Sequence, residues 1–259
     1  MSERPQYANA PIVEAVIDLR IVQPDGLSVS DLQSLVEENA EKYPAVEEMY
    51  RYQEEGYVGQ TGTPIRQENQ YRHNGFRCIS GDRRRVFYAS LDGLAFSMLA
   101  PYEGWTRFSV EARRLWEAYR LITAATSVTR IAVRYINRID IPLQESDSKA
   151  SLEDYIRVYP ELPSDFPPNG GPMNMYFLQV QVPQRDIGSL LVINSTPQPT
   201  ANERVVSITL DYDLFRQRLE DPWEADNDES IWGFLESLHE RKNEVFEASI
   251  TDLTRRLIR

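Results

Sequence analysis

The chain has 259 residues, 41% of them hydrophobic and 26% charged, a globular composition that excludes a mainly disordered polymer. Its formal net charge of −12, from 40 acidic against 28 basic residues, argues against nonspecific grip on nucleic acid, which needs Lys and Arg to neutralise phosphates. No apolar run approaches the roughly 18–20 residues that a bilayer demands, and the opening Met1-Ser2-Glu3-Arg4-Pro5 lacks a secretory pattern.

In chain order, a first strand is expected at about 11–22. Val13, Ala15, Ile17, Leu19 and Ile21 point to one face, with Glu14, Asp18 and Arg20 on the other. Ser28, three residues ahead of Asp31, opens a helix over about 29–42 that Tyr43-Pro44 closes. Three or four strands follow between about 46 and 99. Within them Ser80-Gly81-Asp82 signals a turn, so Arg83, Arg84 and Arg85 fall at a hairpin tip. His73 reads as an exposed loop residue and Cys78 as a small core hydrophobe. Trp105, Phe108, Ala112, Leu115, Tyr119 and Ile122 recur at helical spacing and predict a strong helix over about 104–123.

A second series begins with a strand at about 128–141. Its core set is Ile131, Val133, Tyr135, Asn137, Ile139 and Ile141, and its reverse face carries Arg130, Arg134 and Arg138. Ser151 and Asp154 predict a short helix at about 151–158, ended by Tyr159-Pro160. Strands at about 174–182, 187–194 and 203–213 precede a long helix over about 229–257. The acids from Glu220 to Glu229 complement the dipole of that helix, and His239 sits on its boundary or surface.

Each series reads strand, helix, several strands, long helix, which predicts an internal duplication with halves 1–126 and 127–259 in one compact unit. The fold expected is α+β: a long curved antiparallel sheet with both long helices on one face and the first strands of the halves meeting near its middle. Such a fold looks like the saddle of the TATA-box-binding protein and its helix-grip relatives, a likeness that carries no function.

The arginine ladder has two readings. If the two first strands are neighbours, Glu14 and Asp18 lie across from Arg134 and Arg138 as cross-strand ion pairs. Alternatively Arg20, Arg134 and Arg138 line a groove for an anionic ligand or an acidic peptide. Arg83, Arg84 and Arg85 form either a solvated tip or a tip that contacts phosphate or nucleic acid. Asn137, on the apolar face, needs hydrogen-bond partners and reads as a structural tie or a ligand contact. Only Lys42, Lys149 and Lys242 are lysines, so 28 − 3 leaves 25 arginines, from a GC-rich genome or from a demand for planar guanidinium groups. Cys78 as the single cysteine excludes an intrachain disulfide and predicts a reducing, cytoplasmic setting. Two histidines leave little material for zinc. Phosphate-loop, dinucleotide and nucleophile-elbow patterns are absent, so no catalytic residue, metal or cofactor is expected.

Three segments are familiar: Pro11-Ile-Val-Glu-Ala15, Arg134-Tyr-Ile-Asn-Arg-Ile139 and Phe246-Glu-Ala-Ser-Ile-Thr251. Together they resemble a sporadically distributed family of uncharacterised prokaryotic proteins, over nearly the whole chain. The resemblance implies a cytosolic protein from an accessory or mobile gene set of the defence or toxin–antitoxin kind. It assigns no active-site residue. The function expected is a non-catalytic protein-interaction or regulatory module whose partner is another protein of the same operon. The alternative is a binding protein or enzyme for an anionic small molecule. Self-association is left open by the sequence.

Overall fold

The computed structural model describes residues 7–58, 64–143, 151–163 and 175–259, with backbone pairing alone for the strand residues within 53–70. In order, the elements are β1 (Ile12–Ile21), α1 (Val29–Glu38), β2 (Ala45–Val58), β3 (Pro64–Ile79), β4 (Arg85–Ser90), β5 (Gly93–Leu99) and α2 (Trp105–Thr123). The second series runs β6 (Ser127–Pro142), a 3-10 turn at Leu152–Asp154, β7 (Leu178–Gln184), β8 (Ser189–Gln198), β9 (Val205–Gln217), β10 (Trp223–Glu224), α3 (Asp228–Ser249) and α4 (Asp252–Leu257).

Among the described residues all ten strands join one antiparallel sheet, in the order β2-β3-β4-β5-β1-β6-β9-β8-β7, with β10 against the start of β6. β1 and β6 therefore pair at the centre, Ala15 opposite Tyr135 and Ile17 opposite Val133. Outward from that seam the first series continues as β5, β4, β3, β2 and the second as β9, β8, β7.

Both long helices cover the same face. Phe108 of α2 stacks on Phe96 of β5 at 5.5 Å between ring centroids and meets Tyr135 of β6 edge-on at 6.4 Å. His239 of α3 lies 6.1 Å from the same tyrosine ring and stacks flat on Trp105 at 4.2 Å. The helix stripes Phe108, Leu115, Trp116 and Tyr119, and Ile231, Leu235 and Leu238, are completely enclosed against Ile17, Val133, Leu210 and Tyr212. Each such side chain stabilises the fold by about 1.5–3 kcal/mol relative to exposure.

The segment that follows α1 is tied to α2 by charge. Glu111 of α2 accepts from Tyr43 Oη at 2.9 Å, Lys42 Nζ at 3.0 Å and Arg114 Nη2 at 2.8 Å. Burial alone would raise this carboxyl, but the hydrogen bonds from Arg114, Lys42 and Tyr43 prevail and hold it at about 2.

Two expected helices are altered, for one reason. The segment 151–158 forms only the 3-10 turn, and the long final helix stops at Ser249, with Ile250 extended (φ −115°, ψ 160°) before α4. The two segments have exchanged backbone bonds. Arg157 N donates to Ser249 O at 2.8 Å, Thr251 N to Tyr155 O at 3.1 Å, and Thr254 Oγ1 to Tyr155 O at 2.5 Å, around an Ile156–Ile250 bridge. Carbonyls that would have propagated a helix are committed to the neighbouring segment.

Candidate functional site

The period-2 pattern of β6 holds in three dimensions. Ile131, Val133, Tyr135, Asn137, Ile139 and Ile141 are buried beneath the helices. Arg134 and Arg138 emerge on the reverse, their side chains 49% and 54% exposed. That reverse face is a mosaic of ion pairs, and the partners differ from those expected. Glu14 stands opposite Ile136, Asp18 opposite Ala132 and Val16 opposite Arg134, so neither acid faces Arg134 or Arg138. Instead the antiparallel register sets Arg20 directly across from Arg130, with a bulge between Ile12 and Glu14.

The carboxylates come chiefly from β9. Arg134 opposes Asp213 in register, but forks onto Asp211: Nε to Oδ1 at 2.8 Å and Nη2 to Oδ2 at 2.7 Å. This is a bidentate, charge-assisted pair whose acid is only 8% exposed. Asp211 also accepts from Asn194 of β8 at 3.1 Å. Arg130 bridges Asp213 at 3.1 Å and Asp18 at 3.5 Å, with its guanidinium 4.5 Å above the Phe215 ring. Burial pushes the Asp213 carboxyl up, against the pull of Arg130 and Arg134. Arg138 turns along its own strand to Asp140 at 2.8 Å, and Asp140 accepts from Ser207 Oγ at 2.5 Å. Glu14 accepts from Ser97 Oγ at 2.5 Å.

At the β5 side, Arg20 holds Asp18 at 2.8 Å and reaches Asp92 at 3.4 Å. Asp92 also receives Arg51 Nη2 at 2.5 Å and Ser90 Oγ at 2.8 Å. Burial would raise this carboxyl, but hydrogen bonds from Arg51 and Ser90 bring it below the usual range. Arg20, Arg134 and Arg138 thus share one face, each engaged by a carboxylate.

The other candidates lie apart. Arg83, in a left-handed conformation (φ 59°), and Arg84 are exposed in the β3–β4 turn. Arg85 is not at the tip; it begins β4 and folds back onto Glu103 at 3.1 Å. Asn137 is a tie between strands, donating Nδ2 to Leu210 O at 3.1 Å. His73 is a strand residue rather than a loop residue: its ring stacks on Tyr50 at 5.3 Å, and its Nε2 lies 3.0 Å from Gly75 O. Cys78 is buried, and that burial pushes its thiol up to about 12. His239 belongs to the interhelical packing, with Nδ1 3.2 Å from Tyr135 Oη.

Asp211, Asp213, Asp92 and Arg51 were not singled out from sequence. The first two did leave a signal, since they alternate with Leu210, Tyr212 and Leu214 on the polar side of a strand. Among the described residues no cluster of three or more His, Cys, Asp or Glu is arranged to hold a metal, and no helix is long and apolar enough to cross a membrane. No protein-family model matches the chain, and no curated protein is significantly similar to it.

Proposed function

We propose that the protein is a non-catalytic interaction module that receives a protein partner on the arginine-bearing face of its sheet. One observation carries this reading: Arg134 is half exposed while its carboxylate partner Asp211 is nearly enclosed, so the guanidinium faces outward over an already neutralised sheet. Such an arginine offers planar donors and a stacking surface without a strong positive potential. That suits a mixed protein surface better than a polyanion. A neighbouring-gene product of a defence or toxin–antitoxin set is the partner that the family resemblance implies.

The duplication belongs to the same proposal. Two halves, 1–126 and 127–259, related by the β1–β6 seam make a saddle like that of the TATA-box-binding protein. The matching outward orders, β1-β5-β4-β3-β2 and β6-β9-β8-β7, support it. Two segments of the family resemblance, around Glu14 and around Asn137, lie on the paired strands of that seam.

Co-expression with the products of adjacent genes tests the proposal. One of them should co-purify with the wild-type protein, and the double variant Arg134→Lys, Arg138→Gln, which keeps a cation on Asp211 but removes both planar guanidiniums, should lose it while still unfolding cooperatively. Undiminished capture by the double variant, or no capture of any neighbour, refutes it.

A further inference from the structure

On the first-half wing of the same sheet face lies a hollow of about 410 Å³. The strand registers explain why it is there. Gly75 of β3 stands opposite Ser90 of β4, Ser90 opposite Gly93 of β5, and Gly93 opposite Arg20 of β1. The next row contributes Ala95, opposite Tyr88. Four small residues therefore leave the sheet bare between larger neighbours. Glycine is required at two of them by close approach: a Cβ on Gly75 would stand 2.0 Å from Ala89 O, and one on Gly93 2.4 Å from Leu19 O.

The hollow is lined by Arg20, Arg51, Asn74 and Tyr88, with Met49 and Ser90. Its two guanidiniums do not wander. Asp92 anchors both, Arg51 through Nη2 and Arg20 through Nη1, and Arg20 is held a second time by Asp18. Arg51 nevertheless remains 49% exposed. Asp18 and Asp92 engage all three nitrogens of Arg20, whereas Asp92 takes a single nitrogen of the half-exposed Arg51, so Arg51 is the anion grip and its ordering cost is already met within the fold. Tyr88 supplies a planar wall and Asn74 a side chain that both donates and accepts. The size falls in the range of about 300–1,000 Å³ that small-molecule sites occupy.

We infer that this hollow binds a nucleoside monophosphate, with the phosphate on Arg51, the base against Tyr88 and the base edge at Asn74. The site is independent of protein docking at Arg134 and Arg138, and either can fail without the other.

Calorimetric titration of the full chain with AMP, GMP, CMP and UMP, beside adenosine and inorganic phosphate, tests the assignment. At least one nucleotide should bind at least about tenfold more tightly than adenosine or phosphate. Arg51→Gln should weaken that nucleotide roughly tenfold or more, and Tyr88→Leu several-fold, with both unliganded variants still unfolding cooperatively. Arg107→Gln, on α2 far from the hollow, should leave the affinity as it is. Absence of binding by all four nucleotides overturns the inference. So does phosphate binding as tightly as the best nucleotide, or an Arg51→Gln variant of wild-type affinity.

Discussion

Replacing Glu111 by Gln removes the charge where α2 meets the segment after α1, while keeping the shape of the side chain. Glu111 is 14% exposed and faces Lys42, Tyr43 and Arg114, so solvent screens it little. A carboxyl held at about 2 in the folded chain, against an ordinary value of 4.5, stabilises the fold by roughly 3 kcal/mol at neutral pH. Gln still accepts from one or two of the donors, so the expected loss is about 2–3 kcal/mol. The sign of the pH dependence follows from the depressed value. Stabilisation is complete above 4.5 and is lost as pH falls through about 2. Urea unfolding of both proteins from neutral pH down to the acid limit of the fold should show two curves converging as Glu111 protonates. A neutral-pH difference below about 0.5 kcal/mol, the range of an exposed ion pair, would refute the argument. A gap of constant width across the acid range would refute it too.

Three further outcomes follow. Gly75→Ala should destabilise by more than about 2 kcal/mol, because the added methyl meets the Ala89 carbonyl in the adjacent strand; a near-neutral urea midpoint would contradict the close approach. Asn137→Ala leaves the Leu210 carbonyl short of a partner in a dry site and should cost about 1–3 kcal/mol, read by chemical denaturation. Cys78, its thiol pushed up to about 12 by burial, should react with a thiol probe only as fast as the chain opens; labelling at the rate of a free thiol would place it at the surface.

The strand pattern of β6 and the two helix stripes were legible because each is a local periodicity that burial on one side enforces. The pairing of β1 with β6 matches the expectation that the two opening strands meet near the middle of the sheet. What escaped was register. The residues that engage Arg134 and Arg130 depend on how β6 slides against β9, and nothing local to either strand states that Asp211 and Asp213 will be the partners. The hollow beside Arg20 was invisible for the same reason, since Gly75, Ser90 and Gly93 come from three strands and align only once paired. Helix caps misled at Ser151 because a long-range exchange with Ser249 and Thr251 outweighs an intrinsic preference of a few tenths of a kcal/mol per residue.

The central position of β1 has a cost during synthesis. One flank of this strand is satisfied by β5, but the other waits for β6, more than a hundred residues later in translation. A nascent chain halted after α2 would carry a bare row of amides and carbonyls along Ile12–Ile21, backed by a greasy underside. Two such unfinished copies can zip together along that row, as exposed strand edges do. The later half of the polypeptide is therefore also the stopper that keeps the earlier half from sticking to itself.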